Sequence, residues 1–564
     1  MTPQFLIGAT SLCLCCNFIA VAVASPVPRP GTGDIEPKRP IPPLPEKLPR
    51  SKPTPLLKPN QPLPSPDKLP AIEARINVQQ VEVLGSTVFS PKQLQKVVFP
   101  YVGKNLTLNQ LLGIRTAVTD LYTSKGYTTS GAFLPPQDVS DGTVRVQIIE
   151  GKLERIDISG LRRLKKGYVR SRIEAATKPP LSIFRLEQAL QMLQLDPLLS
   201  QVSAELTAGT ATGRNVLILN LKEANPINSS FGIGNQENPS VGSFGGTSGI
   251  SHNNLLGFGD RLDATFGLTE GVTSWGSAYK IPVSARGELS FGYSNGRNKV
   301  IEEPFAPLDI KGRSQTYSIG FRQDIVRSPK TEFALSLSGD LRRSATYLFY
   351  DEPFSFTEGP ENGKSRVSAL RFSQEWVDRT SSRVLAARSQ FSLGLDIFDA
   401  TVNETGTDGR FVSWLGQFQW LQALNEKRDT TLVVRAASQL TGDSLLPLEQ
   451  LSIGGIDTVR GYRTNQRVGD SGVFGTVELR LPIVRDSGGF GLLQVTPFFD
   501  AGTIWSNGDG ENGTLASTGL GLRWQLSNSL SARLDWGIPL VNVDRRGDSL
   551  QDNGIDFAIQ WQPF

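Results

Sequence analysis

The sequence lacks the residues that usually carry redox or metal chemistry. Its three cysteines all lie within the first 16 residues, and His252 is the only histidine among 564 residues. Without later cysteines the main part of the chain forms no disulfide and no thiolate metal site, and one imidazole cannot build a histidine metal cluster. A Ser/His/Asp site would depend on His252, which no nucleophile-elbow motif accompanies. We therefore predict no enzyme activity, no cofactor and no metal.

Long apolar segments are also missing. No internal stretch approaches the roughly 20 apolar residues that a transmembrane helix needs. Only 38% of the residues are hydrophobic, while 56 are glycine and 37 are proline, which is typical of many short strands joined by turns. Because only helices and closed barrels satisfy their backbone groups in lipid, a membrane-spanning form of this chain must be a barrel.

The N-terminus carries the one apolar run of note, FLIGATSLCLCCNFIAVAVA. It contains Cys13, Cys15 and Cys16 and ends in small residues, so residues 1–24 are predicted to be a secretory signal peptide. The basic residue that usually precedes such a run is absent, and a buried N-terminal helix is the alternative. After cleavage the chain would contain no cysteine, which suits an oxidising compartment outside the cytoplasm.

Residues 25–70 are about one-third proline and are predicted to form an extended, proline-rich linker. A ligand for a proline-binding groove is the alternative. Residues 26–70 hold eight basic and four acidic residues, so the linker accounts for the whole net charge of +4. With the rest of the chain balanced, we predict no nucleic-acid partner.

Residues 75–150 and 151–223 each contain the same order of patterns, β-α-α-β-β. Strand-like alternation in INVQQVEVLG is followed by two helical stretches and two further strands, and the order repeats from KLERIDISG onward. A repeated unit of about 75 residues predicts two copies of one small α/β domain.

Helical periodicity stops near residue 225, and about sixteen strand-length alternating runs fill residues 225–564. Alternation over runs of about ten residues predicts a membrane β-barrel of about sixteen antiparallel strands. From the fifth strand onward the connections alternate between long and short, as in barrels with long external loops and short periplasmic turns. An even strand count places both barrel ends and the two α/β domains on one side. A pair of soluble β-sandwiches is the alternative.

The sixth connection on the predicted external side contains LSIGGIDTVRGYRTNQRVGDSG, residues 451–472. The two strands after it carry Glu478 with Arg480, and Phe498 with Asp500, on the face opposite their apolar residues. Charged residues on a barrel strand are tolerated in the wet lumen. We therefore predict that the loop folds back into the barrel and that Arg460 meets Asp500, with Glu478 nearby. A solvated external loop is the alternative.

Three short motifs stand out in this region. The loop contains Val-Arg-Gly-aromatic, matched by Val459, Arg460, Gly461 and Tyr462. The strands contain Gly-x-x-Glu-Leu-Arg, matched by Gly475, Glu478, Leu479 and Arg480, and Phe-x-Asp-x-Gly, matched by Phe498, Asp500 and Gly502. With these motifs, nearly the whole chain after the signal peptide resembles the two-partner secretion transporters, the TpsB group of ShlB/FhaC/HecB type.

The resemblance implies two POTRA domains in the periplasm before a monomeric sixteen-stranded barrel embedded in outer-membrane lipid. It implies that the POTRA domains bind an unfolded TpsA-like exoprotein, related to hemolysins or adhesins, which crosses the barrel without ATP. It also implies a latch role for the loop motif, with Glu478, Arg480, Phe498, Asp500 and Gly502 as its partners on the barrel wall.

Two other functions are compatible with this layout: a barrel-assembly insertase of the same superfamily and a general porin. Two POTRA domains rather than a longer array favour secretion. Relatives of this kind often carry a plug helix ahead of the POTRA domains, but the proline density of residues 25–70 argues against a helix there.

Overall fold

The computed structural model describes residues 41–45, 48, 57, 75–485, 489–508, 510, 512–543 and 547–563. The predicted signal peptide and most of the predicted linker lie outside the described residues. The described chain forms two small α/β modules followed by a closed barrel, which confirms the predicted fold class. Within these residues, no helix combines the length and the apolar character needed to cross a membrane.

The first module packs two helices against a three-stranded sheet. Its elements are β1 (Arg75–Val78), β2 (Gln80–Leu84), α1 (Pro91–Val98), β3 (Lys104–Thr107), α2 (Leu108–Ser124), β4 (Gly131–Phe133) and β5 (Thr143–Ile149). β2 runs parallel to β5, which pairs with β4 on its other side. Capping boxes at Ser90 and Thr107 start the two helices.

The order in this module differs from the predicted β-α-α-β-β by two short strands. The predicted first strand is divided after Val78, because β1 pairs with β3 whereas β2 joins the main sheet. β3 was missed because it has only four residues, too few for an alternating pattern, and because Thr107 at its end also caps α2.

The second module has the predicted order. Its elements are β6 (Lys152–Ser159), α3 (Lys166–Ala176), α4 (Ile183–Gln194), β7 (Leu199–Ala208) and β8 (Arg214–Glu223). The sheet order is β6-β8-β7, with β6 parallel to β8 and β7 at one edge. Apolar residues from both helices and all three strands form its core, as their 3.6- and 2-residue spacings predict.

The remaining strands build the barrel and a small ribbon inside it. They are β9 (Ile227–Gly234), β10 (Gly245–Asn253), β11 (Arg261–Thr269), β12 (Val272–Pro282), β13 (Gly287–Lys299), β14 (Lys311–Arg327), β15 (Thr331–Leu348), β16 (Glu352–Pro353), β17 (Lys364–Arg379), β18 (Arg383–Leu395), β19 (Val412–Ala423), β20 (Thr431–Thr441), β21 (Leu451–Ile453), β22 (Arg467–Gly469), β23 (Ser471–Arg485), β24 (Leu492–Trp505), β25 (Gly513–Gln525), β26 (Leu530–Pro539) and β27 (Ile555–Trp561).

Sixteen of these strands form one closed antiparallel barrel: β9–β15, β17–β20 and β23–β27. β27 closes it by pairing with β9. The two-residue strand β16 pairs only with the end of β15. Strands β21 and β22 pair with each other in a separate ribbon that is not part of the wall. Each of the sixteen predicted strand-length runs corresponds to one barrel strand, since alternation of apolar and polar residues is what the two environments of a barrel wall demand.

The two faces of the barrel wall differ as predicted. On β23, Val473 and Val477 are 43% and 46% exposed on the outer face, whereas Glu478 is completely buried. On β24, Phe499 lies on the outer face, whereas Asp500 points inward and is completely buried. The wall therefore presents an apolar surface outside and encloses charged side chains inside.

Long connections occupy one end of the barrel, which we call the far end. Six of them lie there: 300–310, 349–363, 396–411, 442–470, 506–512 and 540–554. Short turns and the two modules occupy the opposite end, which we call the module end. The second module is fixed to a turn at this end, 254–260: the Lys165 N–H donates to the Gly257 carbonyl at 2.8 Å, and the Lys165 ammonium lies 3.4 Å above the ring of Phe258.

Glu223, at the end of β8, holds the segment that makes this joint. Its carboxylate accepts the backbone N–H groups of Arg162, Arg163 and Leu164 at 2.8, 2.9 and 2.8 Å. Burial alone would raise the pKa of Glu223, but these three donors stabilise its charged form and lower the pKa below its usual range. The stabilisation is complete above the ordinary glutamate pKa and is lost as the pH falls through the lower folded-state value.

Glu223→Gln is expected to speed amide hydrogen exchange at residues 162–164 by at least about tenfold at neutral pH, because hydrogen bonds to a charged group contribute about 1.5–3 kcal/mol each. The difference from the unmodified protein should disappear only as the pH falls through the lowered folded-state pKa of Glu223, where the native carboxylate becomes protonated too. Glu154→Gln is the matched control, since Glu154 accepts from Thr210 elsewhere in the module. Equal exchange in all three proteins would contradict this role.

Candidate functional site: a loop held inside the barrel

The connection 442–470, which we call the crossing loop, lies inside the barrel instead of projecting from it. Its stem is the ribbon of β21 and β22. Near its tip, Val459 is fully buried and Arg460 is only 1% exposed. The predicted fold-back into the lumen is therefore present in the structure.

Arg460 makes a bidentate contact with Asp500 of β24. Its Nε and Nη2 donate to the two carboxylate oxygens at 2.7 and 2.9 Å, and its backbone N–H donates to the same carboxylate at 3.1 Å. Its Nη1 donates to Glu478 of β23 at 2.7 Å. The guanidinium also lies 3.5 Å from the ring centre of Phe498, a cation–π contact. The structure thus brings together the loop arginine and three of its predicted wall partners.

A third carboxylate, Asp535 of β26, completes the surroundings of Arg460. It accepts from Nη1 at 3.2 Å and is completely buried, as are Glu478 and Asp500. Sequence reasoning missed this residue, although SLSARLDWGIP places it on the face opposite Leu534 and Trp536. Three carboxylates around one guanidinium carry more negative charge than Arg460 can neutralise, and further arginines of the wall balance it. Arg480 and Arg523 lie 2.8 and 3.2 Å from Glu478, and Arg533 pairs with Asp535.

Gly461 lets the loop touch the barrel wall with its backbone. It has φ +85°, and a Cβ there would lie 2.9 Å from the backbone carbon and oxygen of Gly537 on β26. A Cβ at Gly537 would in turn lie 2.6 Å from the Gly461 nitrogen. Two glycines face to face are needed because any side chain on either would separate loop and wall.

The other predicted motif residues secure the same region. Val459 and Tyr462 belong to an apolar cluster with Phe474, Ile504 and Leu515 of the wall. The Tyr462 hydroxyl lies 2.7 Å from the Ala516 carbonyl and 3.0 Å from the Val541 carbonyl. Gly502 does not contact Arg460; its place is opposite Phe474, where a Cβ would come within 2.7 Å of the Phe474 Cβ.

Arg463, next along the loop, connects two other connections of the far end. It donates to Glu302 at 2.7 and 2.9 Å and to Asp552 at 2.6 and 2.7 Å. The crossing loop is therefore fixed both to the wall and to the loops above it.

A second piece of chain also occupies the lumen. Residues Ile41–Pro45 and Leu48, which we call the strap, form neither a helix nor a strand. Gln417 donates to the Pro42 carbonyl at 2.9 Å, and Gln419 donates to the Pro45 carbonyl at 2.6 Å.

The strap runs from the far end towards the module end. Ile41 packs on the apolar cluster of the loop tip, together with Val543 of a far-end connection. Leu44 and Leu48 pack on a second cluster lower in the barrel, formed by Val377, Val384, Ala386, Leu421 and Val433. Leu57 then makes a parallel β-bridge with Ala204 on the free edge of β7.

The strap and the crossing loop leave a cavity of about 1110 Å³ in the lumen. Its lining includes strap residues, wall arginines such as Arg435, Arg523 and Arg533, and small polar residues of β10–β13. Among the described residues, no group of three or more His, Cys, Asp and Glu side chains is arranged to hold a metal ion. The lumen is therefore partly occupied by segments of the chain itself and lined by polar and charged side chains.

Comparison with known proteins identifies the family. Residues 213–524, more than half of the chain, match the model of the haemolysin secretion/activation proteins ShlB/FhaC/HecB, and residues 76–151 match the ShlB-type POTRA domain. The outer membrane transporter CdiB of Escherichia coli O6:K15:H31 is 25% identical over 508 residues, 85% of this chain and 82% of that protein. The heme/hemopexin transporter HuxB of Haemophilus influenzae is 27% identical over 195 residues, 34% of each chain.

Solved structures agree with this fold. CdiB from Escherichia coli superposes with a TM-score of 0.68 at 22% identity, covering 89% of this chain and 93% of that one. CdiB from Acinetobacter baumannii gives 0.64 at 20% identity, covering 91% and 94%. The chain belongs to the ShlB/FhaC/HecB family of two-partner secretion transporters, with its barrel in the outer membrane, its POTRA modules in the periplasm and a secreted protein as its partner.

Proposed function

We propose that the POTRA domains, residues 75–150 and 151–223, bind an unfolded exoprotein and deliver it to the barrel, through which it passes without ATP. The observation that carries this is the free edge of β7, where Leu57 already pairs as an extended segment with Ala204. An edge strand that accepts one extended segment offers the same backbone donors and acceptors to another. The barrel works as a monomer in outer-membrane lipid.

We also propose that the channel is closed between clients and that two elements close it. The strap lies in the lumen against Gln417 and Gln419, and the crossing loop crosses the lumen near the far end. The latch formed by Arg460, Glu478 and Asp500 keeps the loop in place, with Phe498 beneath the guanidinium. Passage of a client therefore requires the strap to leave and the loop to move.

Photo-crosslinking from β7 tests client binding. A photoreactive residue at Ser203, exposed on β7, is expected to capture one secreted protein in living cells. Deletion of the transporter should remove that secreted protein from the culture medium. The matched control position is Arg155, exposed on β6 at the other side of the sheet. An insertase would instead capture many barrel precursors, and a porin would capture none while its deletion left secretion intact. Either result would overturn the proposal.

A further inference from the structure

The crossing loop has a second charged contact, far from its tip. Glu449, which precedes the ribbon, is 1% exposed. Its Oε1 accepts from Arg371 Nη2 at 2.7 Å and from Arg342 Nη1 at 3.1 Å. These two arginines belong to the barrel wall, on β17 and β15. Here the loop supplies the carboxylate and the wall supplies the guanidinium groups. At Arg460 the loop supplies the guanidinium and the wall supplies the carboxylates.

The wall holds Arg371 in place by other contacts. Arg371 donates through Nε to Asp340 at 2.6 Å and through Nη1 to the Ser392 hydroxyl at 2.9 Å. Arg342 also donates to the backbone carbonyl of Leu448, the residue before Glu449. The Arg371 guanidinium, with two fixed partners on the wall, is oriented before the loop arrives, whereas Arg342 contacts two successive residues of the loop.

Apolar packing and a backbone clamp support the same segment. Leu445, Leu446 and Leu448 are buried against Val367, Ala369 and Phe411. Gln439 of β20 donates through Nε2 to the backbone carbonyls of Glu449 at 2.9 Å and of Asp470 at 3.0 Å. One side chain thus ties the beginning and the end of the loop together.

The two charged contacts lie on widely separated parts of the barrel wall. Glu449 meets β15 and β17, whereas Arg460 meets β23, β24 and β26. In the strand order of the barrel, β18, β19 and β20 stand between the two groups. A loop attached at both places spans the lumen like a bar, and release of one end leaves the other attached.

We propose that Glu449 is a positioning residue that forms a second anchor of the crossing loop, independent of Arg460, with Arg342 and Arg371 as its receptor on the wall. A client of polypeptide width passes only when both anchors release. The role of the anchor in client passage rests on the proposed function. The attachment of the loop to the wall can be measured in the channel without any client.

Single-channel recording of the purified full chain in planar bilayers tests the anchor. Glu449→Gln removes the charge and keeps the size. We expect it to raise the fraction of time in high-conductance states by at least about tenfold, because an arginine pair that loses its buried acid no longer holds the loop. Combined with Arg460→Ala, it should exceed either single variant. Asp399→Asn, which breaks an exposed ion pair in another far-end connection, is the matched control and should leave the recording unchanged.

A secretion assay on the same variants tests the proposed secretion function separately from the anchor at Glu449. Altered gating with no client-dependent secretion in any variant would refute the proposed function and leave the anchor supported. Gating of Glu449→Gln equal to that of Asp399→Asn, or a double variant equal to Arg460→Ala alone, would overturn the anchor. Heat-modifiable migration on gels verifies folding. If Glu449→Gln fails to assemble, Arg342→Gln, which leaves the contact with Arg371, is expected to give an intermediate gating change, and its absence would count against the anchor.

Discussion

Arg460→Ala is expected to reduce secretion by at least about a hundredfold while the barrel remains folded in the outer membrane. The substitution leaves Glu478, Asp500 and Asp535 buried around an empty place, and loss of one partner from a buried ion pair costs about 3–5 kcal/mol. The sixteen-stranded wall keeps its own backbone hydrogen bonds, so the loop leaves its place before the barrel unfolds. A loop that cannot return to its anchor no longer moves between two defined positions and obstructs the path of the client. Exoprotein in the medium, measured against barrel folding by heat-modifiable migration, gives the result.

Three further variants show what Arg460 contributes. Arg410→Ala is the matched control, because the exposed Arg410 side chain pairs with Asp408 on a different far-end connection. Arg460→Lys keeps the charge but loses the bidentate geometry, so we expect partial secretion. The double exchange Arg460→Asp with Asp500→Arg should restore some secretion. Full restoration is not expected, because the new loop acid would still face Glu478 and Asp535. Normal secretion by Arg460→Ala would contradict the latch.

Gly461→Val is expected to abolish secretion as completely as Arg460→Ala, although it changes no charge. Valine at φ +85° is strained, and its Cβ would lie 2.9 Å from the backbone of Gly537, which cannot move without distorting β26. The loop tip would be lifted from the wall, so Arg460 could no longer reach its three carboxylates. The measurement is secretion together with the protease sensitivity of the crossing loop in intact cells.

Gly442→Ala serves as the control for this variant. Gly442 begins the same connection, and a Cβ there meets nothing within 4 Å. We expect unchanged secretion and unchanged protease resistance. Should Gly461→Val secrete as well as Gly442→Ala, close contact between the loop tip and β26 would have no part in transport.

The barrel could be predicted from local sequence patterns, because the residues of each strand alternate between the apolar outer face and the polar luminal face. Val473, Val477 and Glu478 show the alternation within a few residues, without knowledge of any neighbour. The contact between Arg460 and Asp500 was also accessible, since an acid on a wet face required a partner and the preceding loop offered arginines. The four-residue β3 lies below the length at which such a pattern can be seen.

Contacts between distant elements were less accessible. Asp535 lies 75 residues from Arg460 along the chain, and Glu449 lies 107 and 78 residues from Arg342 and Arg371. Nothing in the local sequence selects these partners, because they become neighbours only when the barrel closes. The strap illustrates the same limit: its prolines indicate an irregular segment, but the site where the segment lies depends on Gln417 and other wall residues.

The strap has a kinetic consequence. It belongs to the same chain as the barrel that it fills, so its return to the lumen is an intramolecular event. Linkage within one chain gives the strap an effective concentration commonly on the order of millimolar at its own binding site. In the proposed cycle, a client that enters the lumen competes against that concentration, and once the client has left, the strap rebinds without any diffusing component. On the proposed function, such a transporter resets itself after each passage, and the affinity of the strap for the lumen sets how tightly a client must bind there to displace it.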